Sequence, residues 1–360
     1  MSKKALFTPA KLGNITLSNK TVMAPMTRSR AIGNVANDLI KEYYAQRATA
    51  GLIVTEGISP SANGLGYARI PALYSEAQTE SWKPVTAAVH AKGGHIFVQL
   101  MHTGRASHAA NLPAGAQIVA PSAIGLGGEI WTDAEGMQPY PVPVALTTAQ
   151  VKEAVGEYVN ASKNAIAAGF DGVELHGANG YLIEQFINPA SNQRTDEYGG
   201  SIENRSRFLL EIAKATGEAI GFDKVGVRLS PYGAFNDMQP AYDSVEETNT
   251  YIAQELNKLG VVYVHLVNHS SMGAPAVPAS VVEKIRNAFK GTLILSGGYD
   301  ADRANADLES GAADLVAFGR PFIANPDLVA RLEQGAALNA PDFNSFYTAD
   351  AKGFTDYPTL

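Results

Sequence analysis

Eight times between Thr21 and Gln334 a short apolar, β-branched run is followed by a longer amphipathic segment. The apolar runs fall at 21–26, 51–57, 95–100, 172–176, 224–230, 261–267, 292–296 and 313–318. Segments of helical period follow near 37–49, 76–92, 148–168, 203–220, 243–259, 278–289, 300–310 and 325–334. A run that is apolar at nearly every position suits a strand buried on both faces, as in a parallel sheet. Eight such units predict a (β/α)8 barrel. A doubly wound sheet shares the alternation, but its glycine fingerprint would follow the first strand, and residues 21–30 contain no glycine. In the third helix Thr148 reads as the cap, with Val151, Val155, Tyr158, Val159, Ser162 and Ile166 near one face.

Two stretches stand outside the repeat. Residues 103–147 are rich in Gly, Pro, Ser and Ala and follow the third strand, which predicts a lid loop on the C-terminal, catalytic face. Residues 5–19, with Gly13-Asn14 between apolar pairs, predict a small hairpin plugging the opposite end. Nothing has linker composition, so residues 1–360 read as one domain.

With 46% hydrophobic and 18% charged residues the chain has ample material for a core. A net charge of −7 without a basic stripe argues against nucleic acid. The absence of cysteine excludes thiolate catalysis and Cys-held clusters. No signal-peptide or membrane-spanning run is seen, which reads as a cytoplasmic protein with no membrane partner. Monomer and homodimer both stay open.

Barrel enzymes take their working residues from strand C-termini. After the fourth strand comes His176-Gly177-Ala178-Asn179-Gly180-Tyr181. An imidazole and an amide there can donate to one carbonyl or nitro oxygen, while a phenol delivers a proton nearby. That suits a reaction in which charge builds on oxygen and a neighbouring carbon needs a proton. Singly, His176 reads as a structural histidine; with Asn179 and Tyr181 beside it, function is favoured. Gly297-Gly298 and Gly319-Arg320 end the seventh and eighth strands, where barrels commonly bind phosphate, although glycines there also serve as plain turn residues. Thr27, Gly57, Gln99 and Arg228 end the first, second, third and fifth strands and could surround a heteroaromatic ring. Gln99 could equally satisfy loop backbone. Arg228 inside a barrel calls for an anion or a strong acceptor, with Glu174 as a candidate structural partner for it or for another cation. His265 and His269, four apart at a strand end, lack the carboxylate of a zinc motif, so no metal site is expected.

Three longer segments add specificity: Ala24-Pro25-Met26-Thr27-Arg28, His176 to Leu182, and Asn192-Gln193-Arg194-Thr195-Asp196-Glu197-Tyr198-Gly199-Gly200-Ser201-Ile202-Glu203-Asn204-Arg205. With Phe318-Gly319-Arg320-Pro321, Asn325 to Leu328 and Gly353 to Pro358, they resemble the Old Yellow Enzyme family over nearly the whole chain, in particular its bacterial N-ethylmaleimide and pentaerythritol tetranitrate reductases. The resemblance implies non-covalent FMN in a (β/α)8 barrel, NAD(P)H as reductant and electrophilic alkenes as substrates. It implies that Pro25, Thr27, Gly57, Gln99 and Arg228 surround the flavin ring, while Gly297, Gly298, Gly319 and Arg320 hold the phosphate. It makes His176 and Asn179 the substrate-oxygen donors, Tyr181 the acid, and Tyr67 and Tyr347 pocket walls. Met101 stands where many relatives carry tryptophan, putting a flexible thioether on the substrate wall, and Gly125 to Pro143 departs from close relatives. The rival function is a redox-silent barrel, a phosphosugar isomerase or flavin-binding regulator. The dienoyl-CoA reductase branch is excluded by the missing cysteines and the length.

Overall fold

The computed structural model describes residues 4–360. Its first element pair is a hairpin, β1 (Ala10–Leu12) against β2 (Ile15–Leu17), reversed at Gly13, whose φ of 54° favours glycine. Then come β3 (Thr21–Met23), β4 (Leu52–Ile58) and β5 (Ile96–Leu100). An excursion carries four short strands: β6 (Val119–Ala120), β7 (Glu129–Thr132), β8 (Gly136–Pro139) and β9 (Val144–Ala145). The chain returns as β10 (Gly172–Gly177), β11 (Val225–Leu229), β12 (Tyr263–Val267), β13 (Thr292–Ser296) and β14 (Leu315–Phe318). Strands β3, β4, β5 and β10 to β14 pair in parallel in that order, and β14 closes on β3. This is the expected (β/α)8 barrel.

The alternation of side chains across each strand divides two apolar layers. Val22, Leu52, Val54, Phe97, Ile294 and Leu315 meet inside the barrel, where Leu12 and Leu17 of the hairpin close the floor. Ile53, Val98, Val173, Val227 and Leu266 face outward against the helices. The helices are α1 (Asp38–Gln46), α2 (Glu76–His90), α3 (Thr148–Ala167), α4 (Leu182–Ile187), α5 (Ile202–Ile220), α6 (Val245–Leu259), α7 (Ala279–Ala288), α8 (Ala301–Ser310), α9 (Arg320–Ala324) and α10 (Leu328–Gln334).

Four expectations need correction. The cap of α3 is Thr147, not Thr148: its hydroxyl accepts from Gln150 N–H while the Gln150 side chain reaches back, a reciprocal box available only from that position. The buried face of α3 runs through Ala154, Ala161 and Ala165 with Val151, Tyr158 and Ser162, leaving Val155, Val159 and Ile166 half-buried. The helix expected at 325–334 is shorter, Leu328–Gln334, and a separate short helix, Arg320–Ala324, precedes it. Asn325 precedes Pro326, a position that disfavours the helical region, and its side chain bonds Pro321 O and Asn339 N instead. The lid is not without structure: β7 and β8 make an antiparallel hairpin, and β6 pairs with β9 at its base.

Candidate active site

A cavity of about 1360 Å³ opens at the C-terminal end of the barrel. Every residue given a cofactor or substrate role in the sequence lines it: Pro25, Thr27, Gly57, Gln99, Met101, His176, Asn179, Tyr181, Arg228, Gly297, Gly298, Gly319 and Arg320, with Tyr67 and Tyr347. Strand register explains the convergence. His176 pairs with Arg228, so two adjacent strands present a polar side chain to the cavity at one level.

Just beneath lies a satisfied polar layer. Glu174 Oε1 accepts from Gln99 Nε2 at 2.8 Å; Oε2 accepts from Tyr263 OH at 3.0 Å and meets His265 Nδ1 at 2.9 Å. Burial pushes the Glu174 carboxyl up, but His265, Arg228 and the Gln99 hydrogen bond together hold it below its ordinary value. A carboxylate only accepts, so Gln99 must turn its amide nitrogen inward, leaving its carbonyl oxygen and one N–H for the cavity. The expected Glu174–Arg228 partnership is thus corrected. Glu174 is hydrogen-bonded to Gln99, Tyr263 and His265, and acts on Arg228 only through its charge.

Arg228 is 6% exposed, and its buried Nε has no hydrogen-bond partner. A guanidinium in that position is costly unless something in the cavity accepts from it. His176 Nδ1 and Asn179 Oδ1 are likewise buried without partners. Burial, and then the Arg228 charge, hold the His176 imidazole well below its ordinary value, so the ring is neutral and has one N–H to give. Tyr181 lies edge-on to that ring, centroids 5.1 Å apart, and Tyr67 edge-on to Tyr181 at 6.0 Å. Burial pushes the Tyr181 phenol up to about 12, which keeps its proton in place at neutral pH.

Backbone frames the rest. The β4–β5 ladder shifts register between Val54 and Gly57, a bulge held where the Thr55 hydroxyl donates to Glu56 O and accepts from Gln99 N–H. Met101 packs into the space that a side chain at Gly57 would fill. Across the cavity Gly297 has φ 119°, and a Cβ there would run into the Asn268 carbonyl. Arg320 is exposed near the same rim, with no side-chain partner among the described residues. FMN fits these features: an unpaired buried cation and a donor–acceptor amide for a heteroaromatic ring, and glycine turns with an arginine for a phosphate.

Some placements differ from expectation or were missed. Tyr347 lines the cavity from its rim, 61% exposed. His269 lines the cavity with a buried, unpartnered Nδ1 and its ring 4.7 Å from Phe235; burial and then Arg228 push it down to about 4. His265 instead belongs to the polar layer, and among the described residues no cluster could hold a metal ion. Trp131, Tyr140 and Arg69 also reach the cavity. Two of the three come from the stretch whose composition suggested only a lid.

The sequence signature of the family described as "NADH:flavin oxidoreductase / NADH oxidase family" matches residues 5–339. A putative 12-oxophytodienoate reductase 11 of Oryza sativa subsp. japonica is 41% identical, covering 100% of this chain and 98% of that protein. A probable flavin mononucleotide-dependent alkene reductase of Leishmania infantum is 42% identical, over 98% of this chain and 96% of that one. Among solved structures, morphinone reductase in complex with tetrahydroNAD superposes with a TM-score of 0.94 at 45% identity, covering 99% of this chain and 98% of that one.

Proposed function

Because the chain belongs to the NADH:flavin oxidoreductase / NADH oxidase family, we propose that His176, Asn179 and Tyr181 are the working groups of an NAD(P)H-dependent FMN ene-reductase. Its substrates are small electrophilic alkenes: α,β-unsaturated carbonyls, maleimides and nitroalkenes, with nitro compounds or nitrate esters as further acceptors. When bound, FMN supplies two-electron redox chemistry between NAD(P)H and the alkene. Pro25, Thr27, Gly57, Gln99 and Arg228 hold its ring, and Gly297, Gly298, Gly319 and Arg320 its phosphate. Without cysteine no thioether link can form, and this reading takes the cofactor as held non-covalently.

His176 and Asn179 donate hydrogen bonds to the substrate's carbonyl or nitro oxygen. Their donors are fixed before the reaction, so they stabilise charge as it builds on that oxygen without reorganising. Tyr181 gives its proton to the α-carbon; a phenol pushed up to about 12 holds that proton until a carbon of enolate character arrives. Met101, Tyr67 and Tyr347 bound the space left for the alkene.

The observation that carries this reading is the convergence of buried, unpartnered polar atoms of four residues, Arg228, His176, Asn179 and His269, upon one cavity that also holds a protonated phenol. Anaerobic addition of NAD(P)H should bleach the yellow protein, and enones, maleimides or nitroalkenes should restore the colour as the alkene is saturated. A colourless protein, or a yellow one that does not turn over, would point instead to the redox-silent barrel.

A further inference from the structure

The turn that presents Asn179 rests on a buried carboxyl to which neither cofactor nor substrate contact has been assigned. Glu184 of α4 is 8% exposed, and its two oxygens work separately. Oε2 accepts from Gly180 N–H at 2.6 Å, while Oε1 accepts from the Ser230 hydroxyl at 2.8 Å. The same Ser230 oxygen accepts from Asn179 N–H at 3.0 Å. On the carbonyl side, Asn236 Nδ2 donates to Asn179 O at 2.8 Å and Gln185 Nε2 to Gly180 O at 2.8 Å. Side chains therefore take both N–H and both C=O groups of Asn179 and Gly180.

The backbone shows why such a frame is needed. Asn179 has φ 61° and Gly180 φ 72°, two successive left-handed residues, the first of them not glycine. Strained pairs of this kind persist where their surroundings over-determine them. Gly180 has no room to relax, since a Cβ there would lie 2.7 Å from that of Asn236. Ser230 follows β11, so the relay also fixes the β10 turn to the neighbouring strand end.

We propose that Glu184, acting through Ser230, is a positioning residue that holds Asn179 in the left-handed conformation aligning its amide with His176 on the substrate oxygen. The inference rests on the reading of His176 and Asn179 as oxygen donors. An ionised carboxylate suits the task because it accepts on both oxygens. A glutamine keeps the frame: its oxygen accepts from Gly180 and its nitrogen donates to Ser230. The Ser230 proton then turns to the polar cavity of about 20 Å³ beside it, which has room for about one water. Alanine at either position breaks the relay.

The test titrates the FMN-loaded protein with p-chlorophenol, whose phenolate oxygen mimics the oxygen of the developing enolate, following the flavin spectrum. Glu184→Ala and Ser230→Ala should each weaken binding about tenfold or more, as expected when a polar contact is displaced from a pre-set site. Glu184→Gln should stay within about threefold of the parent, and all three should retain FMN stoichiometry. Parent-like affinity in both alanine variants would overturn the proposal. So would loss of affinity in Glu184→Gln, or loss of FMN alongside the phenol in Ser230→Ala, either of which would make the carboxyl a general structural support. His176→Ala separates the two readings. If it too binds p-chlorophenol normally, the oxygen-donor assignment fails; if it alone binds weakly, only the positioning role fails.

Discussion

The His176–Tyr181 turn and the β7–β8 hairpin line the same cavity, yet they are held by different physics. The turn follows a central barrel strand and is fixed by buried hydrogen bonds from Ser230, Glu184, Asn236 and Gln185. The hairpin keeps only Ile130 and Thr132 buried, and its Trp131 and Met137 are half exposed. It is tied to the body by Arg69, whose guanidinium pairs with Asp133, donates to Tyr347 O at 2.8 Å and, through Nε, to Ser29 O at 2.9 Å, and by the Asn111 amide, which donates to Trp131 O and Gly66 O, each at 3.0 Å. The groups proposed to handle charge and protons sit where displacement is expensive. Groups that line the entrance sit where it is cheap.

If that contrast holds, the largest effect of any conservative substitution falls on the turn. Tyr181→Phe keeps the ring against His176 and Tyr67 and removes only the acid. Reduction of the bound flavin by NAD(P)H should survive, while reoxidation by a simple cyclic enone slows by roughly 10²–10⁴. A nitroalkene should suffer less, because its nitronate can leave and take a proton from water. Stopped-flow traces of the two half-reactions decide it, and equal slowing of both would take Tyr181 out of the acid role.

Next come the oxygen donors. His176→Ala and Asn179→Ala should each cost roughly 10²–10³ in the rate of alkene reduction and weaken phenolate binding, with FMN retained. Normal turnover in both would leave the developing charge without a stabiliser and the contrast without its rigid half.

Much of this was legible in the sequence, and what was not has a common cause. Apolar runs with buried faces on both sides foretold the barrel, and strand ends foretold Thr27, Gly57, Gln99, His176, Arg228 and the glycine rim, but not His269, Arg69, Trp131 or Tyr140. The support of Asn179 was hidden because Ser230 lies 51 residues away and a carboxyl in a helix ordinarily faces water. Glu174 was set against Arg228 for the same reason: its partners Tyr263 and His265 come from a strand two places round the barrel. The cap of α3 was readable, since Thr147 with Gln150 spells the reciprocal box and Thr148 does not. The hairpin escaped notice because strands of four residues among glycines and prolines carry little periodic signal.

A smaller effect tests how rigidly the turn is founded. Burial pushes the Glu184 carboxyl up from 4.5 to about 7, against the hydrogen bonds from Gly180 and Ser230, and no cation pairs with it among the described residues. The folded protein therefore holds this proton more tightly than the unfolded chain. The stabilisation is fully present below about pH 4.5 and is lost as pH rises through about 7. Glutamine has no proton to lose, so Glu184→Gln should gain on the parent by up to about 3 kcal/mol between about pH 5 and pH 8. Melting curves at the two pH values should show the Tm difference moving a few degrees in favour of the variant. A difference that stays constant with pH would mean the carboxyl is already ionised at the lower value.

The smallest effect belongs to the lid. Asp133 accepts from Arg69 and, at 3.0 Å, from Trp131 Nε1, but its side chain is 47% exposed and that of Arg69 17%. An ion pair open to solvent on one side is worth about 0–1 kcal/mol. Asp133→Ala should therefore raise KM for a bulky enone by no more than about fivefold and leave kcat for a small one unchanged. Salt supplies an internal control, because screening reaches exposed charges and not the buried frame beneath Asn179. Parent and variant should converge in KM at about 1 M NaCl, whereas the gap between parent and Ser230→Ala should persist. Should Asp133→Ala instead cost as much as His176→Ala, the hairpin would be part of the machinery rather than its adjustable wall. The division between a fixed floor and a replaceable lid would then not describe this enzyme.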